Sequence, residues 1–164
     1  MISSNNLAQA NLRANVSAGE FWNEFQKVQD GLNKLSRFMS KKQFITLACR
    51  LKNDNSTTYF YDKVIAMAKR IEAMPANMTG QGLGLHGSSI AYLRYHQGPV
   101  VFYVTLKDGL DGVSQAYGWC VSDQRGTEAG PIDIGHLVHH EMTLDLDFEP
   151  VTVTAALNQE GEGA

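Results

Sequence analysis

Three histidines and a glutamate stand together in the chain as His136-Leu-Val-His139-His140-Glu141. On a helix His136 and His140 lie four residues apart on one face, a spacing that suits two imidazole ligands of a transition metal. A zinc hydrolase of the familiar helical kind also needs a Glu directly after the first of those ligands, or in the inverted form directly before the last, and here those positions are Leu137 and His139. A third ligand would have to come from His96 or Asp145. The plainer expectation is a set of solvated histidines at the exposed end of a short helix.

Nucleophilic catalysis has less to stand on. Cys49 is followed by Arg50 and Lys52, whose charges favour a thiolate. Yet all five histidines lie beyond residue 85, so no base is placed beside it by sequence. Ser88-Ser89 has no strand-turn-helix frame. Cys49 and Cys120 both sit in apolar stretches and read as reduced core residues. Gly80, Gly82, Gly84 and Gly87 resemble a phosphate-cradling loop only superficially, since the Gly-Lys-Ser/Thr ending is missing, and a flexible connector is expected. No catalytic residue, metal or cofactor is therefore assigned, with a metal-dependent enzyme built on His136, His139 and His140 kept as an alternative.

Charge is the stronger signal. Residues 1–75 hold eleven of the fourteen Lys and Arg and six of the seventeen Asp and Glu, a net +5. Residues 76–164 hold three and eleven, a net −8. Such asymmetry points to a charged partner or a polar docking surface. Lys34, Arg37, Lys41, Lys42, Arg50 and Lys52 form a run uninterrupted by any acid between Gly31 and Asn53. Within it Lys41, Lys42, Arg50 and Lys52 are the candidates for contact with nucleic acid or an acidic partner, contacts that would weaken with salt. Asp123, Glu128, Asp133 and Glu141 add to an acidic counterpart, in which Asp145, Asp147 and Glu149 are the candidate partner-binding residues.

The elements that must carry these groups follow from periodicity. Ser17 and Glu20 have capping-box spacing. Phe21, Phe25, Val28, Leu32, Leu35 and Met39 then form one helical stripe, with a weak point at Gly31. That stripe serves either a single-chain core or a homodimer. Ser40 caps a second helix, 41–52, with Phe44, Ile45, Leu47, Ala48 and Leu51 facing in. Residues 53–56 turn and cap a third helix carrying Phe60, Val64, Met67, Ile71 and Met74, stopped by Pro75.

From Ile90 the period becomes two. Strands are expected at 90–96, 100–107, 115–122 and 132–134, then a helical turn through His140. Over 143–149, Leu144, Leu146 and Phe148 alternate with Asp145, Asp147 and Glu149, which predicts a half-buried strand with an acidic outer face. Short turns imply an antiparallel meander. The fold class is α+β, N-terminal helices packed on a C-terminal antiparallel β-meander sheet.

All 164 residues form one domain on this reading. The helical part spans 5–75, a connector 76–89 and the sheet part 90–157, with a frayed tail at 158–164. With 43% hydrophobic residues there is ample material for a core. No apolar stretch is long enough to span a bilayer, and the first residues lack the layout of a signal peptide, so a cytoplasmic protein is expected.

Several stretches of the second half resemble a family of short proteins borne by plasmids, phages and other mobile elements. They are Tyr59–Lys63, Ile71–Pro75, Ala91–Tyr95, Phe102–Asp108, Gln115–Gly118, Glu128–Ile134 and Leu144–Pro150, together spanning roughly residues 57–155. The chain departs at Ala129-Gly-Pro131, where relatives tend to read Leu-Gly-Tyr, and at Leu106, where an acid is common. The resemblance transfers no catalytic residue. It implies a setting near antirestriction and plasmid-maintenance genes. The expectation is a non-enzymatic accessory protein of a mobile genetic element that occludes a host protein or nucleoprotein complex. A nucleic-acid binder using the basic helix is the alternative.

Overall fold

A computed structural model describes residues 18–53, 58–77 and 87–161. Three helices come first: α1 (Ala18–Leu35), α2 (Lys41–Asn53) and α3 (Tyr59–Ala73). Then follow β1 (Ala76–Asn77), β2 (Ile90–Ala91), β3 (Leu93–Gln97), β4 (Val100–Asp108), β5 (Ala116–Ser122) and β6 (Gly126–Ile132). The chain ends with α4 (Ile134–His139), β7 (Thr143–Leu144), β8 (Val151–Thr152) and α5 (Val153–Gly161). This is an α+β fold, helices first and antiparallel sheet second.

Helix α1 runs through Gly31 without a break, because Gly31 is a contact rather than a weakness. A Cβ there would lie 2.8 Å from Cγ1 of Val64, so the missing side chain lets α1 approach α3 closely. The helix stops at Leu35, short of the end of its apolar stripe. Phe38 and Met39 are buried in the turn that follows. Ser40 starts α2 as expected, its hydroxyl accepting the Gln43 N–H at 3.3 Å. Within α2, Leu47 and Leu51 are buried, but Ile45, expected to face inward, is half exposed. On α3 Val64, Met67 and Ile71 are buried as their spacing predicts, with Met74 just beyond the helix end. Its last carbonyls would be unsatisfied. Lys107 Nζ fills two of them, donating to Ile71 O at 2.7 Å and Glu72 O at 2.8 Å.

Strands β3 to β6 form the antiparallel meander, in the order β6-β5-β4-β3-β7. The connector expected from residue 76 begins instead as strand β1, which pairs in parallel with the end of β4. Strand β4 is buried on both faces. Val104 joins Leu93 and Tyr95 against the helices, while Val101 and Tyr103 pack with Ala91, Val153 and Ala156 beneath α5. That second cover was not expected, and α5 takes in residues 158–161 of the supposed frayed tail.

Two strand expectations fail. Ile134 opens helix α4 rather than closing a strand, since Asp133 accepts the His136 N–H at 2.9 Å as N-cap. The real strand is β6, the outermost of the meander, disguised by Gly126, Gly130 and Pro131. Proline is tolerated there because an edge strand has one side without ladder partners. The acidic strand also ends early. Only Thr143 and Leu144 pair with β3, and from Asp145 the chain turns.

Besides the Lys107 contact with α3, polar contacts tie the α1–α2 turn and the start of α2 to the sheet. The fully buried Tyr95 hydroxyl donates to Phe38 O at 2.7 Å. The Gln43 side chain donates to Leu144 O at 2.6 Å and accepts the Leu144 N–H at 3.0 Å.

Backbone proximity is tightest at Gly118, opposite an irregularity in β4 between Val104 and Leu106. A Cβ there would meet Tyr103 O at 1.9 Å, a clash with backbone that no rotamer relieves. Gly118→Ala is expected to cost about 3 kcal/mol in urea unfolding, at the upper end of overpacking effects. Gly130→Ala, with nothing within 4 Å of its Cβ position, should stay near the parent.

Candidate functional site

The acidic candidates come together, each with a cation of the same chain. Asp145 Oδ1 accepts the N–H groups of Asp147 at 2.9 Å and Phe148 at 3.1 Å, which creates the turn that replaces the expected strand. Its Oδ2 lies 3.1 Å from Arg94 Nη1. Asp147 Oδ1 accepts from the Tyr59 hydroxyl and lies 2.9 Å from Lys63 Nζ. Glu149 pairs with Arg70 Nη2 at 2.8 Å, and Arg70 Nη1 donates to Phe148 O. Tyr59, Lys63 and Arg70 fall within about 40° of one another around α3, so a single helical stripe holds the whole turn. These carboxylates are each paired within the chain, and the Asp147 and Glu149 side chains remain 67% and 70% exposed, so the acidic face expected from the sequence has cations of its own chain beside it. The depression they line with Arg94, Phe148, Val151 and Gln159, about 480 Å³, contains its own counter-charge.

Protonation states follow from these contacts. The hydrogen bond from Tyr59, then that from Lys63, holds the Asp147 carboxyl below its ordinary value. The same hydrogen bonds push the Tyr59 phenol and the Lys63 ammonium up.

The basic candidates are placed differently. Lys41, Lys42, Arg50 and Lys52 are all exposed on α2, which carries no acidic residue. Among the described residues none of the four makes an ion pair; Arg50 stacks over the Phe60 ring at 5.3 Å from its centroid. Arg50 and Lys52 occupy the last turn, where the helix dipole favours cations. Lys41 and Lys42 occupy the first turn, where it disfavours them. Folding does not account for that pair.

Beside α2 lies a feature that the charge pattern did not reveal. A groove of about 300 Å³ runs between α1 and α2, lined by Phe25, Val28, Leu32, Leu51 and Tyr61, with Gln29 and Lys52 at its rim. Trp22 is 62% exposed and meets Phe25 edge-on, with ring centroids 6.0 Å apart. The legible signal was the α1 stripe itself, which is broader than the contact with α3 requires.

The remaining candidates do not assemble. His136 and His140 do share a face, with ring centroids 4.3 Å apart, and His139 lies close to His140. All three are exposed, and among the described residues no group of three His, Cys, Asp or Glu side chains could hold a metal. Asp145, one suggested third ligand, is committed to Arg94. Cys49 is exposed rather than a core residue, and Cys120 is half-buried; both are free thiols. Gly80, Gly82 and Gly84, residues 54–56 of the turn expected at 53–56, and Ser17 lie outside the described residues. No helix among the described residues is long and apolar enough to cross a membrane. No family profile, curated protein or solved structure matches the chain.

A depressed carboxyl stabilises the fold above its unfolded pKa, and that contribution is lost as pH falls through the folded value. Asp147→Asn is thus expected to lower stability at neutral pH. Parent and variant should converge once the pH drops well below the ordinary Asp value of 3.8, as read by urea unfolding at stepped pH.

Proposed function

We propose that the protein is a non-catalytic binding module that docks through helix α2 on an acidic host protein or nucleoprotein complex and blocks it. One contrast carries this reading. Asp145, Asp147 and Glu149 are each matched within the chain, while Lys41, Lys42, Arg50 and Lys52 have no carboxylate partner among the described residues. Unmatched surface cations steer association with a polyanionic partner and set its specificity more than they add to stability. Lys41 and Lys42 strengthen the case, because their position at the start of α2 is unfavourable to the helix. The resemblance of residues 57–155 to plasmid- and phage-borne proteins supports an accessory role on a mobile genetic element, counter-defence of an antirestriction or anti-CRISPR type. Direct contact with nucleic acid is the second reading, favoured by the same acid-free helix.

Retention on a heparin column tests the surface. Lys41→Glu/Lys42→Glu is expected to elute at markedly lower salt than the parent, and Asp147→Asn to elute with it. Unchanged elution of the double variant would remove α2 as the docking surface. Capture from host extract with and without nuclease separates a protein partner from a nucleic acid.

The same reading predicts a trade between binding and stability. Lys42→Glu should raise unfolding stability by about 0.3–1 kcal/mol through the helix dipole, while weakening polyanion binding. Thermal unfolding at low ionic strength is the check, and a destabilised variant would mean that Lys42 is needed for the fold.

A further inference from the structure

The groove beside α2 combines three features that belong together at an interface. Its floor is apolar, its wall on α1 carries exposed aromatic rings, and its rim on α2 is basic. Along α1, Trp22, Phe25, Gln29 and Leu32 recur at spacings of three and four, on the flank turned away from Lys27, Asp30 and Lys34. From Trp22 to Leu32 the surface extends over about 15 Å, or roughly three helical turns. On α2, helical geometry puts Lys41, Ile45 and Lys52 on one flank, and Lys52 lines the groove. Ile45, half exposed, continues the apolar surface along that flank.

Resting on the reading of α2 as a docking surface for an acidic partner, we infer that this groove receives an amphipathic helix of a partner protein, with acidic side chains beside its apolar stripe. A helix laid in a groove is read through apolar anchors at i, i+3, i+4 and i+7, and a three-turn surface is the length those anchors require. Trp22 is a residue type on which binding energy concentrates, and Phe25 is one enriched at interface cores. Charge complementarity selects the occupant. Among the described residues no carboxylate lines the groove and Lys52 of α2 does, so a ligand helix needs Glu or Asp on the flank that meets Lys52. A second copy of this chain docked there through the same face would bring a second Lys52 and no carboxylate to the groove, an arrangement that costs rather than stabilises. A nucleic acid would satisfy the lysines but leave the apolar floor without a match, which is why the peptide is the better fit.

A display library of random helical peptides about 15 residues long, selected against the full chain, tests this directly. Enriched sequences are expected to carry apolar residues at three-four spacing with Asp or Glu beside them. Phe25→Ala and Trp22→Ala, both at exposed positions, should each weaken an enriched peptide about tenfold without moving the melting temperature. Lys52→Glu should weaken it and flatten its salt dependence. Parent-like heparin retention by Phe25→Ala keeps the two readings separable, since charge alone drives that retention.

Three outcomes would overturn the inference while leaving the polyanion surface in place: no enrichment, enrichment without acids or without the spacing, or peptides that bind Phe25→Ala as well as parent. Competition by duplex DNA against peptides insensitive to Phe25→Ala would transfer α2 to nucleic acid. A monomer-dimer equilibrium abolished by Phe25→Ala would assign the groove to a second copy.

Discussion

A buried phenol must find an acceptor, and that need fixes the helical layer on the sheet. Tyr95 has no exposure, and its hydroxyl reaches the Phe38 carbonyl in the turn between α1 and α2. Leaving such a group unpaired would cost about 1–3 kcal/mol, so the turn is held where Tyr95 points. Burial without a compensating charge also pushes the phenol far up, so it stays a donor across the usable pH range. Three residues after the turn begins its helix, Gln43 binds Leu144, the residue paired with Tyr95 in the neighbouring strand. Both contacts act at one end of the α1–α2 hairpin. At the opposite end, where Phe25, Leu51 and Lys52 line the groove, no such fastening to the sheet occurs among the described residues.

Charge is distributed by the same logic. Helix α3 lies against both the other helices and the sheet, so its flank must be matched where it meets the turn after β7. The stripe Tyr59, Lys63 and Arg70 does this. Individual exposed ion pairs contribute little, typically below about 1 kcal/mol. Arg70 differs, because its side chain is 8% exposed and also binds a main-chain carbonyl. The acidity of the second half is thereby partly spent inside the molecule, whereas the basicity of α2 faces outward. The whole-chain charge of −3 conceals that difference.

Much of the architecture was legible because it follows from repeated spacing. Val64, Met67 and Ile71 are buried as their period demands, and β4 and β5 end within one residue of where alternation places them, while the strand expected at 90–96 is split into β2, which pairs with β8, and β3. The failures have separate causes. Strand β6 carries two glycines and a proline, and an edge strand buried on little of its surface leaves no period-two record. Residues 144–149 do alternate, but Asp145 satisfies two N–H groups with its side chain and bends the chain before a ladder can form. Among the candidate residues, the charge run picked out Lys41, Lys42, Arg50 and Lys52, which all lie exposed on α2. It could not tell that Asp145, Asp147 and Glu149 are matched, since Arg94 and the α3 cations lie 51 to 84 positions away by subtraction of their numbers. The groove was hidden because exposed and buried members of the α1 stripe share one residue alphabet.

The two ends of the main sheet are finished in different ways, with one shared consequence. At β7 the Gln43 amide occupies the N–H and the carbonyl of Leu144, acting as a one-residue substitute for a further strand. At the other end Pro131 presents no N–H, so β6 offers an interrupted row of donors. Open strand edges are templates on which polypeptides stack into fibrils. The proposed aromatic and basic docking surface thus sits on a chain with built-in resistance to self-templated aggregation, whose side chains rather than backbone are its route to other molecules.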